Sequence, residues 1–263
     1  MEQQSNPDES RLKLTPHDRY FRHVFTQPGP MHDLVMNVVV PELTENESSG
    51  AAEDTVTTIE VSSESFIDEE LREHRTDLLV VLRTTGGLEL AVYVLFEHKA
   101  QNEQHTIFQL MRYHATVLGH LAEQGRKKKR LPPAVLSVVV YNGPGRWTAP
   151  TELNTALGLS GKAAEWLNRF SRFRYLVFDV SHGMSRQFHG GLVSRTALRA
   201  MHATSRKLGR DDVVDLVHLL GEPELPPEFR RTTLRYLATG REDNAAALLA
   251  TLKERGYTEM GKT

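Results

Sequence analysis

The chain has 263 residues, of which 39% are hydrophobic and 25% charged. That is the balance of a globular protein with enough apolar side chains for a core in one or two domains. It contains no cysteine, which excludes a disulfide framework and a thiolate metal site and fits a reducing cytoplasm. Thirty-two basic against thirty-four acidic side chains leave a net charge of −2, so the totals point away from a passive DNA-coating protein. A DNA-acting enzyme of this balance must gather its cations on one face.

Residues 1–14, MEQQSNPDESRLKL, are polar, lack the apolar segment of a secretory signal and read as a disordered tail. No apolar run reaches the roughly 18 residues of a membrane span, so no membrane association is expected. Thr15 reads as an N-cap, with Pro16 in the first turn and Asp18 three residues on. The helix that follows carries Tyr20, Phe21, Val24 and Phe25 on one stripe. A second helix is expected from Met31 to Val40, stopped by Pro41. After the acidic loop TENESSGAAEDT come three strands, Ile59–Ile67, Asp77–Thr84 and Glu89–Lys99. The last two are apolar on both faces, so they belong in the middle of a sheet covered by helices. Gly86 and Gly87 between them mark a hairpin.

A helix is predicted over 104–125 from Ile107, Leu110, Met111, Val117, Leu118 and Leu121 at helical spacing, broken by the RKKKR run at 126–130 and by Pro132-Pro133. A fourth strand, Val135–Tyr141, a Gly/Pro loop with Trp147, a short helix at 162–170 and a fifth strand, Tyr175–Val180, complete an α/β arrangement with a mixed sheet. From about Arg186 the pattern is helical, with Gly209, Gly221, Pro226-Pro227 and Gly240 as joints. The expected organisation is a tail at 1–14, an α/β domain at 15–182 and a C-terminal helical region at 183–263.

Chemistry concentrates on Asp77 and on Glu97-His98-Lys99. Phosphodiester hydrolysis calls for hard-cation ligands, a positioned water and neutralisation of phosphate charge. Asp77 and Glu97 are suitable oxygen ligands for Mg²⁺ (or Mn²⁺), and a lysine beside them can orient the attacking water. Glu97 and Lys99, two apart on a strand, share a face. A three-residue loop, Gly86-Gly87-Leu88, would pair Thr85 with Glu89 and set Asp77 opposite Glu97; a two-residue loop would set Asp77 opposite Phe96 and require a bulge. A carboxylate and an ammonium ending an apolar strand are either paired there or simply emerging into solvent. On the next helix Gln109 and Tyr113 lie one turn apart, either aimed at the carboxylates or at the core edge.

The segments HDRYFRHVF (17–25), SFIDEELREHRTDLLVVL (65–82), VLFEHKAQ (94–101), QLMRYH (109–114), RLPPAVLSVVVYNG (130–143) and RWTAP (146–150) together resemble the Rpn family, the recombination-promoting nucleases also labelled YhgA-like transposases. The resemblance runs in order from about residue 16 to 180. It implies a PD-(D/E)XK restriction-endonuclease-like core, divalent-metal-dependent DNA cleavage and a link to recombination or mobile elements. On that pattern Asp77 is the first acid, Glu97 the second and Lys99 the lysine; many members carry Gln where this chain has Lys99. Gln109 and Tyr113 resemble the QxxxY element of the RecB-like branch.

Other residues have two readings. Asp18 is a capping acid or an extra ligand from the first helix. Glu64 faces the site or is the polar half of an alternating strand. Gln101 contacts DNA or belongs to a loop. RKKKR grips phosphates or is a solvated loop. The scattered histidines lack zinc-ligand spacing. The expected partner is DNA, read with low sequence preference, and a homodimer would cut both strands. The alternatives are a catalytically inactive binding module on the same fold, and a three-carboxylate transposase, for which Asp179 is the one further acid at a strand end.

Overall fold

The computed structural model describes residues 15–44, 56–61, 78–87, 89–97, 104–180 and 188–255. Helix α1 (Pro16–Phe25) begins with the expected reciprocal cap: the Asp18 amide donates to Thr15 Oγ1 at 3.1 Å and the Thr15 amide to Asp18 Oδ2 at 2.9 Å. Its stripe of Tyr20, Phe21, Val24 and Phe25 is buried. Helix α2 spans Pro28–Val38, starting three residues earlier than predicted. A proline is tolerated there because the first-turn N–H groups have no intrahelical partner. For the same reason Pro41 does not end the helical run but sits in the first turn of a new short helix, α3 (Val40–Thr44).

Strands β1 (Val56–Val61), β2 (Leu78–Thr84), β3 (Glu89–Glu97), β4 (Ala134–Tyr141) and β5 (Leu176–Asp179) form one mixed sheet in the order β1-β2-β3-β4-β5. The first three are antiparallel; β3, β4 and β5 run parallel. The apolar strand β3 is central, as its two-sided hydrophobicity requires. The hairpin register differs from the expected one: Arg83, not Thr85, stands opposite Glu89. The chain turns early, the Gly87 amide closing on the Thr84 carbonyl at 3.0 Å with Gly87 at φ +83°, a conformation that glycine adopts without steric cost. A slide of two residues preserves the alternation, so odd positions of β2 and β3 still share a face.

Even positions (Leu78, Val80, Leu82, Leu90, Val92, Val94, Val138, Val140, Phe178) form one core with α1 and α2. Odd positions (Leu79, Ala91, Val135, Val139, Tyr141) form a second core with α4 (Thr106–Lys128), which makes the crossover from β3 to β4. Helix α4 runs through the predicted break, because Arg126, Lys127 and Lys128 are good helix formers whose charge suits a helix C-terminus. It stops at Lys129, which is left-handed at φ 55°. Helices α5 (Leu153–Ala156) and α6 (Gly161–Phe170) precede β5; α5 has no counterpart in the predicted elements.

The last described elements are α7 (Leu192–Ser205), α8 (Arg210–Gly221), α9 (Pro227–Leu237) and α10 (Glu242–Glu254). Their apolar side chains, including Leu198, Met201, Leu216, Val217, Tyr236 and Leu252, belong to the even-face core. Polar contacts tie them to the front of the chain. Asp33 of α2 accepts from the Gly191 amide at 2.8 Å and the Ser194 hydroxyl at 2.5 Å, capping α7 from outside. Asn142, at the end of β4, donates to the Met201 carbonyl at 2.9 Å. Tyr20 and Tyr236 stack with centroids 3.9 Å apart.

Candidate functional site

The parallel half of the sheet brings three residues into one row at its carboxyl end. Glu97, the last residue of β3, pairs in register with Tyr141 of β4, and Tyr141 pairs with Asp179 of β5. In open α/β sheets, ligands bind in the crevice outside the carboxyl ends of parallel strands. Tyr141 is buried on the odd face, and its ring meets Trp147 edge-on at 5.0 Å. Asp179 is partly exposed and accepts the Trp147 amide at 2.9 Å, which fixes the loop after β4 against the end of β5. Trp147 continues edge-on to Tyr175, at 6.3 Å. Burial pushes the Tyr175 hydroxyl up to about 12, so it stays protonated at neutral pH. The sequence marks the segments 130–143 and 146–150, but not their link to β5 through Asp179. It joins positions 32 residues apart and leaves no local signature beyond the Arg-Trp-Thr-Ala-Pro loop itself.

Helix α4 covers the same face. Tyr113 is buried in the cluster that holds Tyr141, Ile107 and Leu110. Its hydroxyl accepts from Arg112 Nη2 at 3.3 Å, and the Arg112 guanidinium carbon lies 5.1 Å from its ring centroid. Gln109 is partly buried one turn earlier. The pair is therefore on the side of the sheet to which odd-numbered strand positions point. His114, on the same helix, is held below its ordinary range by burial and packs edge-on to Phe173 at 5.3 Å, a packing role rather than that of a ligand.

Of the other candidates, Asp18 is engaged in the α1 cap, and α1 packs on the even face, across the sheet from Tyr113. Asp77, Lys99, Gln101 and Glu64 lie outside the described residues, as does His98; of Glu97 the backbone position is described. Among the described residues there is no group of three or more His, Asp or Glu that could hold a metal ion, and no helix long and apolar enough to cross a membrane. Lys127, Lys128, Lys129 and Arg130 are exposed, while Arg126 pairs with Glu123 at 2.7 Å.

The model of the family described as "Putative transposase, YhgA-like" matches residues 15–223. The chain belongs to this YhgA-like family. The match runs from the α1 cap through the sheet and on into α7 and α8. Among curated relatives of the family, the "Recombination-promoting nuclease RpnD" of Escherichia coli O157:H7 is 31% identical over 133 residues, 49% of this chain and 46% of that protein. The "Recombination-promoting nuclease RpnA" of Escherichia coli K12 is 29% identical over 130 residues, 49% of this chain and 40% of that protein. A "Putative inactive recombination-promoting nuclease-like protein YjiP" from the same strain is 32% identical over 108 residues, 40% of this chain and 93% of that protein. The chain thus spans less than half the length of RpnD and of RpnA. No solved structure matches the chain.

Proposed function

We propose that this YhgA-like protein is a divalent-metal-dependent DNA endonuclease with a PD-(D/E)XK core, acting in recombination or on mobile elements. Three relatives carry the name recombination-promoting nuclease. The observation that carries the reading is the position of Glu97. It closes the central strand at the carboxyl end of the parallel half-sheet, and Lys99 follows two residues on. An acid in that place, beside a crossover helix bearing Gln109 and Tyr113, suits catalysis better than sheet packing.

Asp77 and Glu97 would hold Mg²⁺ or Mn²⁺. Their carboxylates are the hard oxygen donors such ions prefer, in a number that leaves the ion its waters. When bound, the ion supplies Lewis-acid stabilisation of the phosphate. Lys99 orients the attacking water and offsets charge building on the phosphate oxygens. Gln109 and Tyr113 steady the site from α4. Among the described residues no element has the form of a base-reading helix, so contacts to the DNA backbone dominate and sequence preference is low. A homodimer would place two such sites on opposite strands.

The test is nicking of supercoiled plasmid in Mg²⁺ or Mn²⁺ by the wild-type chain and by Asp77→Ala, Glu97→Ala and Lys99→Ala. Each variant should lose on the order of 10²–10³-fold in rate, as expected when a preorganised charge-stabilising group is removed. Nicking at equal rates by all four proteins would end the assignment. The second reading, a binding module without turnover, has the relative described as inactive in its favour. Metal-independent plasmid binding without cutting under either ion would select it.

A further inference from the structure

Helix α6 has an outer face that the nuclease reading does not use. None of its residues is buried, yet it carries Trp166 at 65% and Phe170 at 74% exposure, among the most exposed large apolar side chains described. The two rings are one helical turn apart, with centroids 5.2 Å apart and planes inclined at 54°. Leu167, next to Trp166 in sequence and about 100° around the helix from it, is partly buried against the odd-face core. The helix therefore rests on the core through Leu167 while its aromatic pair stays exposed to solvent. Lys162 lies one turn before Trp166 on the same face, Arg169 lies beside the pair, and Arg172 follows the helix. All three are exposed, and no ion pair or hydrogen bond of their side chains occurs among the described residues. Glu165 is the one acid from 161 to 172. In a chain of net charge −2, this is a local surplus of cations around two exposed rings.

Exposed rings interleaved with cations that outnumber the one nearby acid are what a single-stranded nucleic acid requires: a flat apolar surface for unpaired bases and positive charge for the phosphates. A second copy of the chain would bring the same cations face to face. A purely apolar protein partner would leave them uncompensated. We infer that the outer face of α6 is a stacking platform for unpaired DNA bases, with Trp166 and Phe170 receiving the bases and Lys162, Arg169 and Arg172 the flanking phosphates. It would favour single-stranded or locally opened DNA over an intact duplex. The inference rests on DNA being the substrate, not on the site that cuts it.

The test is titration of the full chain with a 20-nucleotide oligothymidylate, and with a duplex of the same length, in excess chelator so that nothing is cut. Binding is followed by fluorescence anisotropy of the labelled DNA. The wild-type chain should prefer the single strand. Trp166→Ala/Phe170→Ala should weaken single-strand binding at least tenfold with little effect on the duplex, the loss expected when stacked bases lose their rings. Trp166→Phe, which keeps a ring, should retain most of the affinity. Circular dichroism and the unfolding midpoint report whether the variants are folded. Unchanged single-strand affinity in a folded double variant would overturn the inference. So would a switch from dimer to monomer as the sole effect of the double substitution, which would make the face a contact between copies. Because binding is read without metal, a chain that nicks plasmid but fails here loses this inference alone, and a chain that binds here but never nicks loses the nuclease reading alone.

Discussion

At the scale of single residues, buried polar groups show where the molecule is sensitive. The Tyr236 hydroxyl meets His17 Nδ1 at 2.9 Å and Thr204 Oγ1 at 3.0 Å, while Tyr20 reaches Thr233 at 2.9 Å. Burial raises the pKa of both phenols, so they act as neutral hydrogen-bonding groups. Tyr236→Phe removes two of these contacts and should cost about 1–3 kcal/mol in urea unfolding; an unchanged midpoint would mean the hydroxyl contributes nothing net. His202, whose ring contacts the Val180 carbonyl at 3.0 Å, is held below its ordinary value by burial, as are His17 and His114. These histidines fold as neutral rings, so the unfolded chain takes up protons first as pH falls. Stability should be full above the ordinary histidine value of 6.5 and decline below it until the lowered folded-state values are passed. His202→Gln should flatten this acid limb in melts recorded from pH 8 to 5. An equally steep limb in that variant would assign the slope to other groups.

At the scale of elements, the end of α4 combines a glycine that must be there with a lysine that need not be. A Cβ on Gly125 would come within 2.6 Å of the Arg130 carbonyl oxygen, a backbone atom that cannot move aside cheaply. The Arg130 amide donates to the Gly125 carbonyl at 2.8 Å, closing the turn on itself. Gly125→Ala should therefore destabilise by about 1–2 kcal/mol even though alanine is the better helix former. Lys129, left-handed at φ 55°, occupies a position where glycine avoids the steric penalty. Lys129→Gly should stabilise by up to about 1 kcal/mol. The two opposite signs, read from thermal midpoints, test the geometry of the same turn.

At the scale of the whole molecule, the sheet is covered on one face by α4 and on the other by a core to which both ends of the chain contribute. Phe21 and Met31 from the front and Met201, Leu216 and Leu252 from the back share one core with Val80, Val92 and Val138. A chain ending at residue 182 would lose the C-terminal share of that core and leave α1 and α2 to cover the face alone. It should show no cooperative thermal transition and should bind a hydrophobic dye; a sharp transition near that of the full chain would show that the sheet needs none of α7 to α10. The family match ending at residue 223, beyond the sheet, fits a shared core.

Much of this was legible in the residues themselves. The Thr15/Asp18 cap, the aromatic stripe of α1, the two-sided apolar strand β3 and the helical crossover to β4 follow from side-chain periodicity and local hydrogen bonding. Those signals operate within a few residues of chain. The early turn at Gly87, which moved the hairpin by two residues, depended on how the turn closes. The helical restart through Pro41 depended on which amide groups were already without partners. The row of Glu97, Tyr141 and Asp179 and the pooling of distant helices into one core came only from tertiary structure. Parallel strands set their alignment by hydrogen bonds between segments far apart in sequence, and a helix's apolar face does not reveal which apolar face will cover it.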